Sequence, residues 1–179
     1  MKKLSQNNRE QAIDLLNERL TFERAGVKLY DSILSKIEAS GDPRLQPMVG
    51  QMREHRDEEK EHEEWLEEQI RTLGGDAHAR TDMSQLVETE AEGLEKIILD
   101  GDNDPGHLFH ALLAAELSDN AGWELLVALA DEAGDYDARQ QFDRRLREEQ
   151  DHLVFVHRAV ERFARTRVLG QELTMPTSV

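Results

Sequence analysis

Cysteine is absent from the 179-residue chain, which excludes disulfides, thiolate-bound zinc and iron held by four thiolates. Any bound metal must therefore rely on oxygen and imidazole nitrogen. Aromatic residues supply only 5% of the chain and prolines number four, a composition that suits long amphipathic helices better than a sandwich or a barrel. No apolar run approaches the ~20 residues of a membrane span. The opening stretch, MKKLSQNNREQAIDLL, is polar where a secretory signal would be apolar. A soluble, cytoplasmic protein is expected. Basic residues are scarce too: 22 Lys and Arg stand against 38 Asp and Glu, for a formal net charge of -16. Such a surface repels nucleic acid and anionic membrane and attracts cations.

What is present is a set of long amphipathic segments, enough for one domain with a substantial core. Residues 1–8 read as an N-terminal arm, 9–169 as an all-α four-helix bundle domain and 170–179 as a flexible tail. The first helix covers 9–39 and stops at the SGDP of 40–43. The second begins near Arg44 and ends at Gly74 and Gly75. Asp104 followed by Pro105 marks the start of the third, which extends to about Glu132. The fourth covers 136–167. Within the long connection 76–104, SQLVETEAEGLEKIILD reads as a shorter crossover helix using Leu86, Leu94, Ile97 and Ile98.

Each long helix carries an apolar stripe, and each stripe is interrupted by polar residues at mid-length. Leu16, Leu20, Val27, Tyr30, Leu34 and Ile37 form the first stripe, and its gap is filled by Glu23. The second runs Leu45, Met48, Met52, His55, Glu59, His62, Leu66, Gln69, Leu73. The third runs Phe109, Leu112, Glu116, Asp119, Trp123, Leu126, Ala130. The fourth places Glu149 and His152 among Phe142, Val156, Ala159 and Phe163. Glu23 and Glu116 are 93 residues apart, the two Glu-x-x-His pairs are 90 apart, and Tyr30 and Trp123 each follow their glutamate by seven. The chain thus reads as two helical hairpins of one plan joined by a crossover.

Residues three apart on a helix lie about 60° apart and one turn apart, so both side chains of Glu-x-x-His reach one point between facing helices. Exposed glutamates on acidic helices are usually solvated, and a lone core histidine is usually a hydrogen-bonded packing residue. Four carboxylates and two imidazoles in one core layer are a different matter. Unneutralised they would cost several kcal/mol each on burial, whereas two divalent cations cancel the charge. Carboxylate and imidazole ligands suit iron and manganese alike.

A Glu from each of two helices plus Glu-x-x-His from the other two is the constellation of bundle-core di-iron and di-manganese proteins. Here the chain resembles the ferritin-like superfamily, more particularly its bacterioferritin and rubrerythrin branches. The resemblance covers roughly residues 9–167. It implies a ferritin-like fold with two iron ions per subunit, manganese being admissible at either position. The implied ligands and catalytic residues are Glu23, Glu59, His62, Glu116, Glu149 and His152, with Glu59 and Glu149 as candidate bridges. Glu58 and Glu148 are second choices. Asp119 stands open between an additional ligand and a partner of a ligand histidine. His55 lies two turns from His62, about 10 Å along the axis, and reads as a polar lining or relay residue. Tyr30 and Trp123 read as packing aromatics; His78, His107, His110 and His157 receive no role.

The implied activity is a ferroxidase that oxidises Fe(II) with O2 or H2O2 for iron storage, detoxification and oxidative-stress protection. The rivals are a rubrerythrin-like peroxidase, a di-metal oxidase or oxygenase, and a non-catalytic metal-stabilised helical scaffold. The cysteine-free chain has no rubredoxin-like module, and Lys60 stands where the resemblance would place the haem-binding methionine, so no haem is expected. The polar GQELTMPTSV end does not read as a fifth helix. A homodimer of bundles is expected, with a larger cage as the alternative.

Overall fold

The computed structural model describes residues 1–100 and 104–170. The expected tail at 171–179 lies outside them. Five α-helices account for the described architecture: α1 (Arg9–Ser40), α2 (Val49–Thr72), α3 (Asp82–Asp100), α4 (Pro105–Glu132) and α5 (Tyr136–Leu169). Helix ends follow local chemistry. Asn8, Asp104 and Asp135 accept backbone N–H bonds at the starts of α1, α4 and α5, satisfying donors that a helix leaves unpaired. Gly41 and Gly170 adopt φ near +62° and +63° just past α1 and α5, where a side chain would be strained. The expected start of the second helix at Arg44 is corrected: a 3-10 turn, Gln46–Met48, precedes α2 and carries Pro47 in its first turn.

α1 packs against α2 and α4 against α5, while α3 crosses the α1 and α4 side of the bundle. Two apolar clusters fill the interior. One joins the C-terminal half of α1 to the N-terminal half of α4, with Tyr30, Ile33, Phe109 and Leu112, and takes in Met52, Val156 and Ile98. The other joins Leu16, Leu20, Leu66, Ile70, Trp123, Leu126 and Phe142. α1 thus runs antiparallel to α4, and each fully buried large apolar side chain contributes about 1.5–3 kcal/mol. The polar residues that interrupt the stripes lie between these clusters. Among the described residues, no helix is long and apolar enough to cross a membrane.

Two stripes are corrected. α3 buries Ser84, Val87 and Ile98 with Leu94 packed at the edge, while Leu86 and Ile97 are 52% and 47% exposed. The positions 84, 87, 91, 94 and 98 keep the three-and-four spacing, which Leu86 and Ile97 break. In the last turns of α2 the buried residue is Ile70 rather than Gln69. Val27 is only half-buried, and the face of α1 toward the layer is completed by Phe22, Gly26 and Leu29.

Candidate metal centre

All six residues singled out by their stripes meet at mid-bundle, each at most 2% exposed. Glu23 comes from α1, Glu59 and His62 from α2, Glu116 from α4, and Glu149 and His152 from α5. The imidazoles turn Nδ1 inward. His62 Nδ1 lies 2.9 Å from Glu149 Oε1 and 3.4 Å from Glu23 Oε2. His152 Nδ1 lies 3.2 Å from Glu149 Oε2, 3.4 Å from Glu59 Oε1 and 3.8 Å from Glu116 Oε2. Glu149 therefore touches both imidazoles, one with each oxygen.

The outward Nε2 atoms explain the neighbouring glutamates. His62 Nε2 meets Glu148 Oε2 at 2.9 Å, and His152 Nε2 meets Glu58 Oε2 at 2.8 Å. The acid one residue before each paired glutamate thus crosses to the other hairpin's histidine, fixing its ring with Nδ1 aimed inward. Glu58 and Glu148, the second choices, stand at the rim on the outward Nε2 atoms, while Glu59 and Glu149 face the inward Nδ1 atoms. The aromatics obey the same exchange. Tyr30 Oη donates to Glu116 Oε1 at 2.5 Å, and Trp123 Nε1 donates to Glu23 Oε1 at 2.9 Å. Each is buried as packing residues are, but its polar tip holds the carboxylate of the opposite hairpin.

His55 is far from His62 but stacks on His152, with ring centroids 4.2 Å apart. Since Tyr30 donates to Glu116, its oxygen accepts from His55 Nδ1 at 3.5 Å, which leaves the lone pair on Nε2 beside Gln51. Burial, helped by the charge of His152, pushes the His55 imidazole down to about 3, so it is neutral.

Asp119 is paired with Arg19 and not with a histidine. Arg19 Nη1 donates to the Asp119 main-chain oxygen at 3.2 Å and lies 3.3 Å from Oδ1. Arg19 and two glycines had not been marked in the sequence. A Cβ on Gly26 would lie 2.3 Å from Glu59 Oε2, and one on Gly122 would lie 1.6 Å from Arg19 Nη1. Glycine inside a helix costs about 1 kcal/mol relative to alanine, and that cost at two unbroken helix interiors was the available signal.

In the apo centre protons act as the counter-charge. Burial and the charge of Glu149 raise Glu59 well above the carboxylate range and Glu116 to about 8. Burial likewise raises Asp119, against the pull of Arg19. Burial opposes charge on His62, but the bond to Glu148 and the facing carboxylates of Glu149 and Glu23 outweigh it and hold that imidazole well above its usual value. For His152 burial is likewise outweighed, by the charges of Glu149 and Glu59 facing Nδ1 and by the bond from Nε2 to Glu58. Glu149, flanked by both imidazoles, is held below its usual range despite burial.

Buried polar atoms are normally hydrogen-bonded. Here Glu23 Oε2, Glu59 Oε2, Glu116 Oε2, Asp119 Oδ1, both Glu149 oxygens and Nδ1 of His62 and His152 have no hydrogen-bond partner. They form overlapping donor sets with donor atoms within 4.8 Å of one another: Glu23, His62 and Glu149; Glu59, Glu116, Glu149 and His152; and Glu23, Glu59, Asp119 and Glu149. A further set, His55, Glu58 and His152, lies at the rim. Oxygen and imidazole donors orphaned around one point fit hard to borderline divalent ions.

Gly26 yields a prediction. In Gly26→Ala the new methyl group must displace the Glu59 carboxylate, whereas the helix itself gains propensity. Mn(II) affinity is expected to fall by about 10–100-fold while the metal-free thermal midpoint stays level or rises. Calorimetric titration and melting curves check both halves; unchanged affinity would show that Glu59 does not need its present place.

A family model for the ferritin-like domain matches residues 13–166, and the chain belongs to that family. No curated protein matches the chain.

Proposed function

We propose that this member of the ferritin-like family is a di-iron ferroxidase, taking up two Fe(II) ions per chain and oxidising them with O2 or H2O2 in iron storage and detoxification. Family membership supports an iron-handling role. The observation that carries the finer reading is that seven buried ligand-type atoms of Glu23, Glu59, His62, Glu116, Glu149 and His152, from four helices, face one another in overlapping donor sets without a hydrogen-bond partner.

Glu23 and His62 would hold one ion and Glu59, Glu116 and His152 the other, with Glu149 common to both sets. Each bound Fe(II) supplies one electron, so the pair reduces O2 and two protons to H2O2, or H2O2 and two protons to two waters. The chain's own part is positional and protonic. Tyr30 and Trp123 each occupy one oxygen of a terminal carboxylate and leave the other for the centre. Glu58 and Glu148 fix the imidazoles by Nε2. Their side chains are 41% and 25% exposed, and by accepting from Nε2–H they hold the tautomer whose Nδ1 is free to ligate. Removing such outer partners from metal-ligating histidines costs typically about 10–100-fold in affinity or activity.

The test is aerobic Fe(II) addition to metal-free protein, following ferric absorbance and oxidant consumption beside Glu59→Ala/Glu149→Ala. Fast oxidation by the wild type alone, continuing past two irons per chain, is the expected result. A stop at two would shift the reading to a peroxidase or oxygenase; equal slow rates in both proteins would leave a metal-stabilised scaffold.

A further inference from the structure

The two hairpins follow one plan at the ligand positions, but the plan breaks at two places beside them. Counting from the single glutamates, the position four before is Arg19 in α1 and Leu112 in α4, and the position three after is Gly26 in α1 and Asp119 in α4. One half has gained a base and the other an acid. The two additions meet: Arg19 Nη1 lies 3.3 Å from Asp119 Oδ1 and bonds its main-chain oxygen, while Arg19 Nε lies 3.6 Å from Glu23 Oε1. Arg19 is only 1% exposed, and its Nε and Nη2 have no hydrogen-bond partner. Its guanidinium sits over the Phe22 ring at 4.5 Å and fills the space left by the missing side chain of Gly122. A buried cation with unused donors, opposite a glycine without which it could not fit, is placed for its charge.

The carboxylates it faces belong to an all-oxygen donor set, Glu23, Glu59, Asp119 and Glu149, whose donor atoms lie within 4.8 Å of one another. Four carboxylates of the repeated plan balance two divalent ions. Asp119 adds a fifth negative charge, and Arg19 supplies the matching positive one. We propose that the Arg19 guanidinium is a built-in third cation, occupying the charge position of a third metal site and keeping Asp119 out of the ligand set, so that the centre stops at two ions. This rests on the two-metal reading above. Arg19 is a positioning residue: it acts through Asp119 and Glu23. An arginine cannot be deprotonated in this setting, so the third position stays filled at every working pH.

Mn(II) suits the test, being hard, oxygen-seeking and countable by electron paramagnetic resonance in equilibrium dialysis. Wild type should saturate at two Mn(II) per chain. Arg19→Met, which keeps the stem and drops the charge, should saturate at three, and Arg19→Met/Asp119→Asn should return to two. The double variant should hold its two ions with affinity within about threefold of wild type, because both charges leave together, well short of the 10–100-fold that even an outer partner costs. Circular dichroism reports whether each variant is folded. A folded Arg19→Met that saturates at two would overturn the proposal. So would a tenfold or larger loss of affinity in the double variant, since with the Arg19 charge also gone that would make Asp119 a ligand; this second arm decides the matter if Arg19→Met alone does not fold. Failure of the wild type to reach two ions would instead remove the two-metal reading itself.

Discussion

Glu149→Ala is expected to reduce the chain to at most one bound ion and to slow Fe(II) oxidation by at least about 100-fold, the upper end of what removing an outer partner costs. Glu149 is fully buried and contributes to three donor sets at the centre. Without it, one set keeps only Glu23 and His62, too few donors to hold a divalent ion firmly, a second keeps Glu59, Glu116 and His152, and the third keeps Glu23, Glu59 and Asp119, which faces the Arg19 charge. The two ions also lose the ligand whose oxygens face both histidines, so any oxidation that persists proceeds one iron at a time. Metal-free stability should suffer less than the metal site does. Removing one partner of a buried ion pair costs about 3–5 kcal/mol when the other stays charged. His62 and His152 can instead release the protons that Glu149 helps them hold. Stopped-flow oxidation and metal counting check the first half, and melting of the apo variant checks the second. An oxidation rate equal to wild type would sink the assignment of Glu149 as a bridge.

The residues legible from sequence are those whose signal is periodic. Glu23, Glu59, His62, Glu116, Glu149 and His152 each sit at a position where an apolar residue was due, and a broken period survives without any knowledge of neighbours. The helix ends at Gly41, Asp104 and Pro105 were legible for a similar reason, since capping chemistry is local. Partnerships across helices were not. Nothing in the one-dimensional pattern says that Tyr30 bonds Glu116 rather than Glu23, or that Glu58 reaches His152 rather than His62. Both follow from antiparallel packing, which brings the far half of one helix to the near half of its neighbour. Arg19 was hidden because it lies one position before Leu20 and reads as the polar edge of the stripe, and its burial depends on Gly122, which is 103 residues away. The buried face of α3 is obscured in the sequence because Leu86 and Ile97 are more apolar than Ser84 yet lie off its three-and-four spacing. Ser84 earns its buried place through exchange with Thr81, as its main-chain N–H donates to Thr81 Oγ1 at 3.1 Å and its hydroxyl accepts from the Thr81 N–H at 2.9 Å.

Raising the pH from 6 to 8 is expected to make metal-free protein less stable and metal-loaded protein more stable. In the apo centre Glu116 has its carboxyl raised from 4.5 to about 8. A raised folded value means that the native state binds the extra proton, so this contribution is complete below about 4.5 and is lost as pH rises toward 8. His62 and His152, also raised, contribute fully below about 6.5 and lose that contribution as pH climbs through their folded values. Glu149 has the opposite sign, but its contribution changes only on acidification below 4.5, outside this window. The apo midpoint should therefore fall from pH 6 to 8. On the proposed reading, metal ions would compete for the same atoms. Glu59, Glu116 and the two Nδ1 positions must all be proton-free to ligate, and each proton displaced adds about tenfold per pH unit to the overall binding constant. If only two of the four are displaced, the constant for loading both sites rises by roughly 100-fold per unit. Ligand at about 1,000 times its dissociation constant stabilises by about 4 kcal/mol, roughly 8–16 °C for a chain of this size. Scanning calorimetry at pH 6, 7 and 8, with and without Mn(II), should thus show two midpoints that diverge as the pH rises, with proton release measurable in weakly buffered solution. Parallel curves would mean that the ions bind somewhere other than this proton-filled layer, because no ligand set built from Glu59, Glu116, His62 and His152 can take up metal without first giving up protons.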